Sequence, residues 1–136
     1  GECMWLQSIV SICFGATAGS LIRWGLGLMM NGLFPNIPIS FGTLMANIIG
    51  SFLMGMVLAL TQNPFILSEA SRLCITTGFL GGLTTFSAFS AETCSLLFRY
   101  EFFWSGLIIF GHVGGSILAT ICGFFVVNAF MVFERV

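Results

Sequence analysis

The sequence predicts an all-α membrane protein of four transmembrane helices, the third broken near its middle. Three observations lead there. Of the 136 residues, 57% are hydrophobic and 7% are charged, with a mean hydropathy of +1.06. That balance leaves a chain of this size too little polar surface to face water. Four apolar runs reach the roughly 20 residues that cross a bilayer. The third of these runs carries "TTGFLGGLTTFSAFSAE" (76–92), which is too rich in glycine and hydroxyls for a segment that only sits in lipid.

The first span runs from about Trp5 to Met30. Gly1-Glu2-Cys3 ahead of it are read as a cloning remnant or processed start and set outside the fold. The run has no basic n-region and outlasts a signal-peptide core, so it is expected to be a span, not a secretory leader. "NGLFPNIPIS" then supplies Asn-Gly, Pro35 and Pro38 as turn signals. The second span follows from about Phe41 to Leu60. After "TQNPFILSE" comes the third, about Ser71 to Phe98, and after "RYE" the fourth, about Phe102 to Phe133. One four-span domain, 1–136, accounts for the length.

An even number of spans puts both termini on one side. Arg72 and Arg135 fall on that side, while Arg99 and, by its lean, Arg23 fall on the other. The arginine bias that orients membrane proteins is therefore nearly absent. Four spans also make a thin bundle. Together these point to a dimer, with an antiparallel pair among its forms; the alternative is that other determinants fix one orientation. The net charge of −1 gives no reason to expect a nucleic-acid partner. The five cysteines form no CxxC pair, and they are read as small apolar core residues.

Polar groups within spans are costly and gather on interior faces. Thr43, Asn47, Ser51 and Gly55 recur every four residues in the second span. His112, Ser116 and Thr120 do so in the fourth, beside a stripe of Gly111, Gly115, Ala119 and Gly123 that lets another helix come close. In the first span Ser11, Gly15 and Gly19 line up with Arg23. Asn47 is balanced between packing and function. Arg23 either snorkels to headgroups or draws anions into a vestibule. Glu92 is a proton-coupling carboxylate, a hydrogen-bond partner or a packed acid. His112 is expected to be a satisfied core residue, not a ligand.

In 76–92, Gly81-Gly82 weakens the helix by about 1 kcal/mol per glycine relative to alanine. Thr84, Thr85 and Ser87 can satisfy the backbone groups so freed. A break near 81–85 is the result expected. Irregular backbone at membrane depth survives only when buried in protein or lining a cavity. Such breaks are also where ions sit. Phe86 and Phe89 follow on one face, and positive ring edges can line a path for a small anion.

With "GATAGSLIRW" (15–24), "GTLMANIIGSFLMG" (42–55), "TTGFLGGLTTFSAFSAE" (76–92) and "GHVGGSILAT" (111–120) in this order, the chain resembles the Fluc (CrcB) family of bacterial fluoride channels. The third segment is the most specific, and together they span nearly the whole chain. The resemblance implies passive fluoride export across the bacterial inner membrane by a multi-pass protein. It implies an antiparallel, dual-topology homodimer with two pores. It implies a structural sodium ion at the dimer centre, held by the Gly81 and Thr84 carbonyls. Phe86, Phe89 and Asn47 would line each pore, with a polar track of Thr43, Ser87, Glu92, Ser116 and Thr120. Arg23 would lie near the entrance vestibule. Ala88 departs from the pattern, since relatives often carry a hydroxyl there.

Fluoride holds its water tightly, so a path for it must offer amide and hydroxyl donors without trapping the ion. The absence of lysine agrees with that. The main rival is a small dual-topology multidrug/proton antiporter using Glu92, although such a carboxylate belongs in the first span. A membrane enzyme would want clustered acids or histidines, which the chain lacks. A purely structural subunit would leave the third span's composition without a purpose.

Overall fold

A computed structural model describes residues 1–134. Arg135, which entered the charge balance above, lies outside the described residues. Among the described residues the chain is helical with no strand. Four helical segments are long and apolar enough to cross a membrane: Glu2–Leu33, Phe41–Leu60, Glu69–Phe98 and Phe102–Phe133. We call the first two α1 and α2 and the last α6. The third segment is composite. It contains α3 (Glu69–Leu73), a π-helical stretch Cys74–Leu80, α4 (Gly81–Leu83) and α5 (Phe86–Phe98).

Helix ends follow local chemistry. Ser40 caps α2 by accepting from Thr43 N–H, and Ser68 caps α3 by accepting from Ser71 N–H. Helix α1 begins at Glu2, so Glu2 and Cys3 belong to the helix and not to a tail outside the fold. At the end of α5 the Glu101 N–H bonds to Leu96 C=O and the Tyr100 N–H to Leu97 C=O. This is a Schellman closure, with Tyr100 in the left-handed position at φ 59° that glycine usually fills.

Beside a close contact of α1 and α2 at Gly27 and Gly42, two backbone crossings hold the bundle. Glycines permit both, because at these points a Cβ would meet main chain. On α1, a Cβ at Gly15 would run into the Cys74 carbonyl, and one at Gly19 into the Phe79 carbonyl. The opposing strand of contacts is reciprocal: Gly82 sits against the Ala16 carbonyl. At the second crossing Gly55 of α2 faces the Thr120 carbonyl, and Gly123 of α6 faces the Phe52 carbonyl. Close backbone approach of this kind gives packing contact that lipid cannot supply. The small-residue stripes on the first, second and fourth spans are thus where the helices cross.

Two apolar clusters fill the space between. Ala46, Val57, Leu80 and Leu83 join α2 to the third segment. Ile39, Phe89, Leu96 and Ile108 join the loop before α2 to α5 and α6. Outward, the surface carries large apolar side chains such as Phe14, Phe110 and Phe130. Such a surface suits lipid. The cysteines correct the core reading. Cys13, Cys94 and Cys122 are exposed and Cys74 is intermediate. A small apolar side chain is as well solvated by hydrocarbon as by a protein core, so apolar runs do not separate the two.

The crossings make a stability prediction. Gly123→Val forces a branched side chain into the Phe52 backbone and should cost about 2 kcal/mol or more. Gly106→Ala, where nothing lies within 4 Å, should be neutral or gain up to about 1 kcal/mol of helix propensity. Thermal melting in detergent of the two variants beside the parent checks this; equal melting temperatures would show that the crossing carries no load.

Candidate functional site

The site is built where helical hydrogen bonding stops. Thr84 (φ −88°, ψ 155°) and Thr85 (φ −150°, ψ 121°) are extended between α4 and α5. Their backbone groups lose the helix ladder and need partners from elsewhere. Thr84 N–H still reaches Leu80 C=O at 3.0 Å, and Thr84 Oγ1 donates to the same carbonyl at 2.8 Å. Thr85 Oγ1 accepts from Ala88 N–H at 3.2 Å and so caps α5.

Asn47 supplies the rest. Its Oδ1 accepts from Thr85 N–H at 2.7 Å, and its Nδ2 donates to Thr85 C=O at 2.9 Å. The side-chain amide thus grips both polar groups of one extended residue, as a neighbouring strand would. The Asn47 amide also lies 2.9 Å, Nδ2 to Nδ1, from His112 on α6. Gly50, one turn along α2, has no side chain and so lets Thr84 approach; a Cβ there would meet the Thr84 methyl.

The diversion of these donors has a consequence for carbonyls. In a continuous helix, Thr85 N–H would bond to Gly81 C=O and Ala88 N–H to Thr84 C=O. Here Asn47 Oδ1 takes the first N–H and Thr85 Oγ1 the second. Gly81 and Thr84 carbonyls are left without their helical donors. Gly82 C=O is treated differently: Arg23 Nε–H donates to it at 3.0 Å. Arg23 is therefore tied to the end of α4, where a cation also suits the helix dipole.

Beside the discontinuity lies a groove of about 420 Å³. It brings together Asn47, Gly81, Thr84, Phe86, Phe89, Ser116 and Thr120 among the residues proposed from sequence. Phe86 and Phe89 meet edge-to-face, with centroids 5.5 Å apart at 73°. Phe89 in turn stacks on His112 at 4.5 Å. Phe89 is 8% exposed, whereas Phe86 is 77% exposed at the lip. Thr120 Oγ1 lies 3.0 Å from both Ser51 C=O and Ser116 C=O, so its single proton is shared between α2 and its own helix.

Four proposed residues lie off the groove lining: Arg23, tied to Gly82 as above, and Thr43, Glu92 and Ser87. Thr43 Oγ1 is 3.0 Å from Ser40 Oγ, and Ser40 N–H donates to Glu92 Oε1. Thr43 and Glu92 thus share a second polar cluster, at the start of α2. Ser87 Oγ is 3.3 Å from Thr85 Oγ1, at the exposed head of α5.

A family model described as CrcB-like protein, Camphor Resistance (CrcB) matches residues 10–124. The chain belongs to the CrcB family. Curated relatives named fluoride-specific ion channel FluC share its length. That of Pseudomonas paraeruginosa is 49% identical over 126 residues, covering 92% of this chain and 96% of that protein. That of Nitrosomonas europaea is 46% identical over 127 residues, covering 93% and 98%. That of Nitrosospira multiformis is 44% identical over 125 residues, covering 92% and 96%. These names describe ion channels, which are not an enzyme class. Four spanning helices and membership of a channel family make the chain a multi-pass membrane protein.

Within this CrcB chain, the sequence reading named the Thr85 hydroxyl, which does cap α5, but missed the Thr85 main chain, Ser40 and the involvement of His112. The signal for Thr85 is thin: it sat among the hydroxyls, but its main chain is what Asn47 holds. For His112 a signal existed. Asn47 and His112 head polar stripes on two spans, and two such stripes tend to face each other.

Asn47 is then as much a fastener as a lining group. Asn47→Leu leaves Thr85 N–H and C=O unpartnered and should cost roughly 2–3 kcal/mol, even allowing for the modest worth of hydrogen bonds in membranes. Thr120→Val, which removes a single proton donor, should cost about 1 kcal/mol or less. Melting curves in detergent would rank the two; a smaller loss for Asn47→Leu would undo the clamp.

Proposed function

We propose that this chain conducts fluoride passively across the bacterial inner membrane, exporting it down its gradient. The observation that carries the reading is the edge-to-face pair of Phe86 and Phe89 beside the Asn47 clamp, in a chain whose relatives are named as fluoride-specific channels. Fluoride is small and strongly hydrated, so dehydration must be offset by close donors. Ring edges carry partial positive charge and no mobile proton. Hydroxyls at Ser116, Thr43 and Ser87 add donors that can turn with the ion, while Thr120 holds its own proton on the Ser51 and Ser116 carbonyls and completes the track. None of these is a full cation, which suits conduction, since tight binding would trap the ion.

The working unit in this reading is an antiparallel, dual-topology homodimer with two pores. Support comes from the protomer's unfinished edge. Phe86 is largely exposed and Gly81 is exposed, although both adjoin the groove. A second copy would cover them and give the groove its missing wall. The third span then acts as a broken helix at the centre of the pair.

A sodium ion is the cofactor this reading implies. The fit is favourable on chemistry. Gly81 and Thr84 carbonyls have lost their helical donors, and hard neutral oxygens at an unwound turn suit a hard monovalent cation. Two carbonyls from each protomer would hold it. Bound there, it supplies fixed positive charge near both pores. The residues' own part is simpler: Asn47 and Thr85 Oγ1 withdraw the N–H groups that would otherwise occupy those carbonyls.

The antiporter reading is less favoured. Glu92 Oε1 already accepts from Ser40 N–H, which makes this carboxylate an anchor between α5 and the start of α2. In the channel reading Glu92 and Thr43 extend the polar track from the groove toward that end, and Arg23 places positive charge near the entrance vestibule.

Fluoride efflux from liposomes holding the purified protein, followed with a fluoride electrode, tests this. Fluoride should leave rapidly while chloride in a parallel run does not. Phe86→Ile, which keeps bulk and removes the ring edge, should slow fluoride by about tenfold, the worth of one aromatic contact. No fluoride flux from folded parent protein would overturn the channel reading, and full flux in Phe86→Ile would overturn the ring-edge role.

A further inference from the structure

We infer that His112 is an anion-donor residue of this groove, held by Asn47 in the single tautomer that carries its proton on Nε2. The inference rests on the channel reading above for the identity of the ion, but its first step does not.

That first step is geometric. Asn47 cannot turn its amide over. Its Oδ1 faces Thr85 N–H and its Nδ2 faces Thr85 C=O, so a flip would set donor against donor and acceptor against acceptor. The second proton of Nδ2 is therefore the one that faces His112 Nδ1, 2.9 Å away. A nitrogen that accepts is unprotonated. The neutral imidazole then carries its proton on Nε2.

The second step concerns what that proton meets. His112 is 3% exposed. Among the described residues, Nε2 is one of two buried side-chain atoms with no hydrogen-bond partner, the other being Glu92 Oε2. A buried N–H left unpaired is costly, and native proteins rarely carry one without a purpose. A packed, satisfied histidine, which the sequence suggests, would have used both nitrogens. His112 uses one.

The third step is place. His112 lines the groove with Phe89 and Ser116. Its ring lies flat on Phe89, tilted by 29°, and Ser116 follows one turn along the same face of α6. The unpaired donor thus belongs to the wall that carries the aromatic pair and the α6 hydroxyls. Asn47 pins the ring from one side and Phe89 from its face, so the donor is held ready instead of being ordered when the ion arrives. The ligand class is a small, hard anion able to take a single N–H in a narrow, apolar setting. Because Nε2–H is neutral, it can hand the ion on.

The chain has one histidine, so nitrogen NMR of histidine-labelled protein reads one ring without ambiguity. In fluoride-free lipid at neutral pH, Nε2 should appear protonated and Nδ1 bare. A proton on Nδ1, or on both nitrogens, overturns the lock whatever the protein conducts. On adding fluoride, the Nε2–H resonance should move downfield and couple to fluorine, while chloride at the same concentration leaves it in place. No response, or an equal response to chloride, overturns the donor role. Flux gives the third reading. His112→Phe keeps the stack on Phe89 and removes both nitrogens, and should lower fluoride efflux about tenfold. His112→Gln offers Asn47 an acceptor and keeps a donor beyond it, and should recover most of the loss. A phenylalanine variant that conducts like the parent overturns the inference. A parent that carries no fluoride instead overturns the channel reading and, with a silent fluoride titration, the donor role, while the tautomer still decides the lock.

Discussion

The structure depends on one constraint: inside a bilayer a backbone N–H or C=O must find a partner within the protein. A continuous helix meets it locally. The third segment departs from that solution at Thr84 and Thr85, so the partners must come from other elements. Asn47 on α2 provides them for Thr85, and the Thr84 and Thr85 hydroxyls treat the two flanking helix ends. Each solution fixes a neighbour. Asn47 can serve Thr85 only if α2 lies against the discontinuity, and Gly50 makes that approach possible. His112 then closes the arrangement from α6. Three spans are thus locked together through one extended residue.

The glycine crossings serve the same end. They bring α1 against the first half of the third segment and α2 against α6 at backbone distance. Longer side chains would hold the helices apart. Asn47 has a short side chain and reaches Thr85 and His112 at once, at 2.7–2.9 Å. A helix pair spread by even a side chain's width would lose those bonds. Fold and site are coupled here, with packing setting the separation and the separation setting the hydrogen bonds.

What the sequence made legible follows from what periodicity can report. Spans are visible because hydrocarbon demands long apolar runs, and polar faces because Thr43, Asn47, Ser51 and His112, Ser116, Thr120 recur at helical spacing. Hydroxyls and glycines flagged residues 81–85 as unsuited to an unbroken helix. Pairings across helices were not legible. Nothing in the local pattern says that Asn47 will hold the main chain of Thr85, or that Arg23 will hold the Gly82 carbonyl. The π-helical stretch Cys74–Leu80 was also invisible, since π turns have no period that an apolar run displays. Cysteine placement failed for a different reason: hydrocarbon and core reward the same side chains, so composition cannot tell outside from inside.

The economy of charge at this site has a physical reading. Arg23 is the one cation that reaches the discontinuity among the described contacts, and its Nε–H is engaged by Gly82 C=O. The groups nearest the groove are neutral: an amide, hydroxyls, an imidazole and ring edges. Neutral donors differ from cations in how their pull decays. A charge attracts an anion over many ångströms in a low dielectric and discriminates little by size. A hydrogen bond or ring edge acts only at contact, so it favours an ion small enough to touch several donors at once. Selectivity for a small anion is therefore better served by removing full charges from the path than by adding them. By the same reasoning, if the groove carries an anion as proposed, the carbonyls freed at Gly81 and Thr84 must not face it bare, because unpaired oxygens would repel the ion that the donors invite. In the proposed channel reading a cation on those oxygens would resolve the conflict, and the clamp that frees the carbonyls and the donors that line the groove would be two parts of one design.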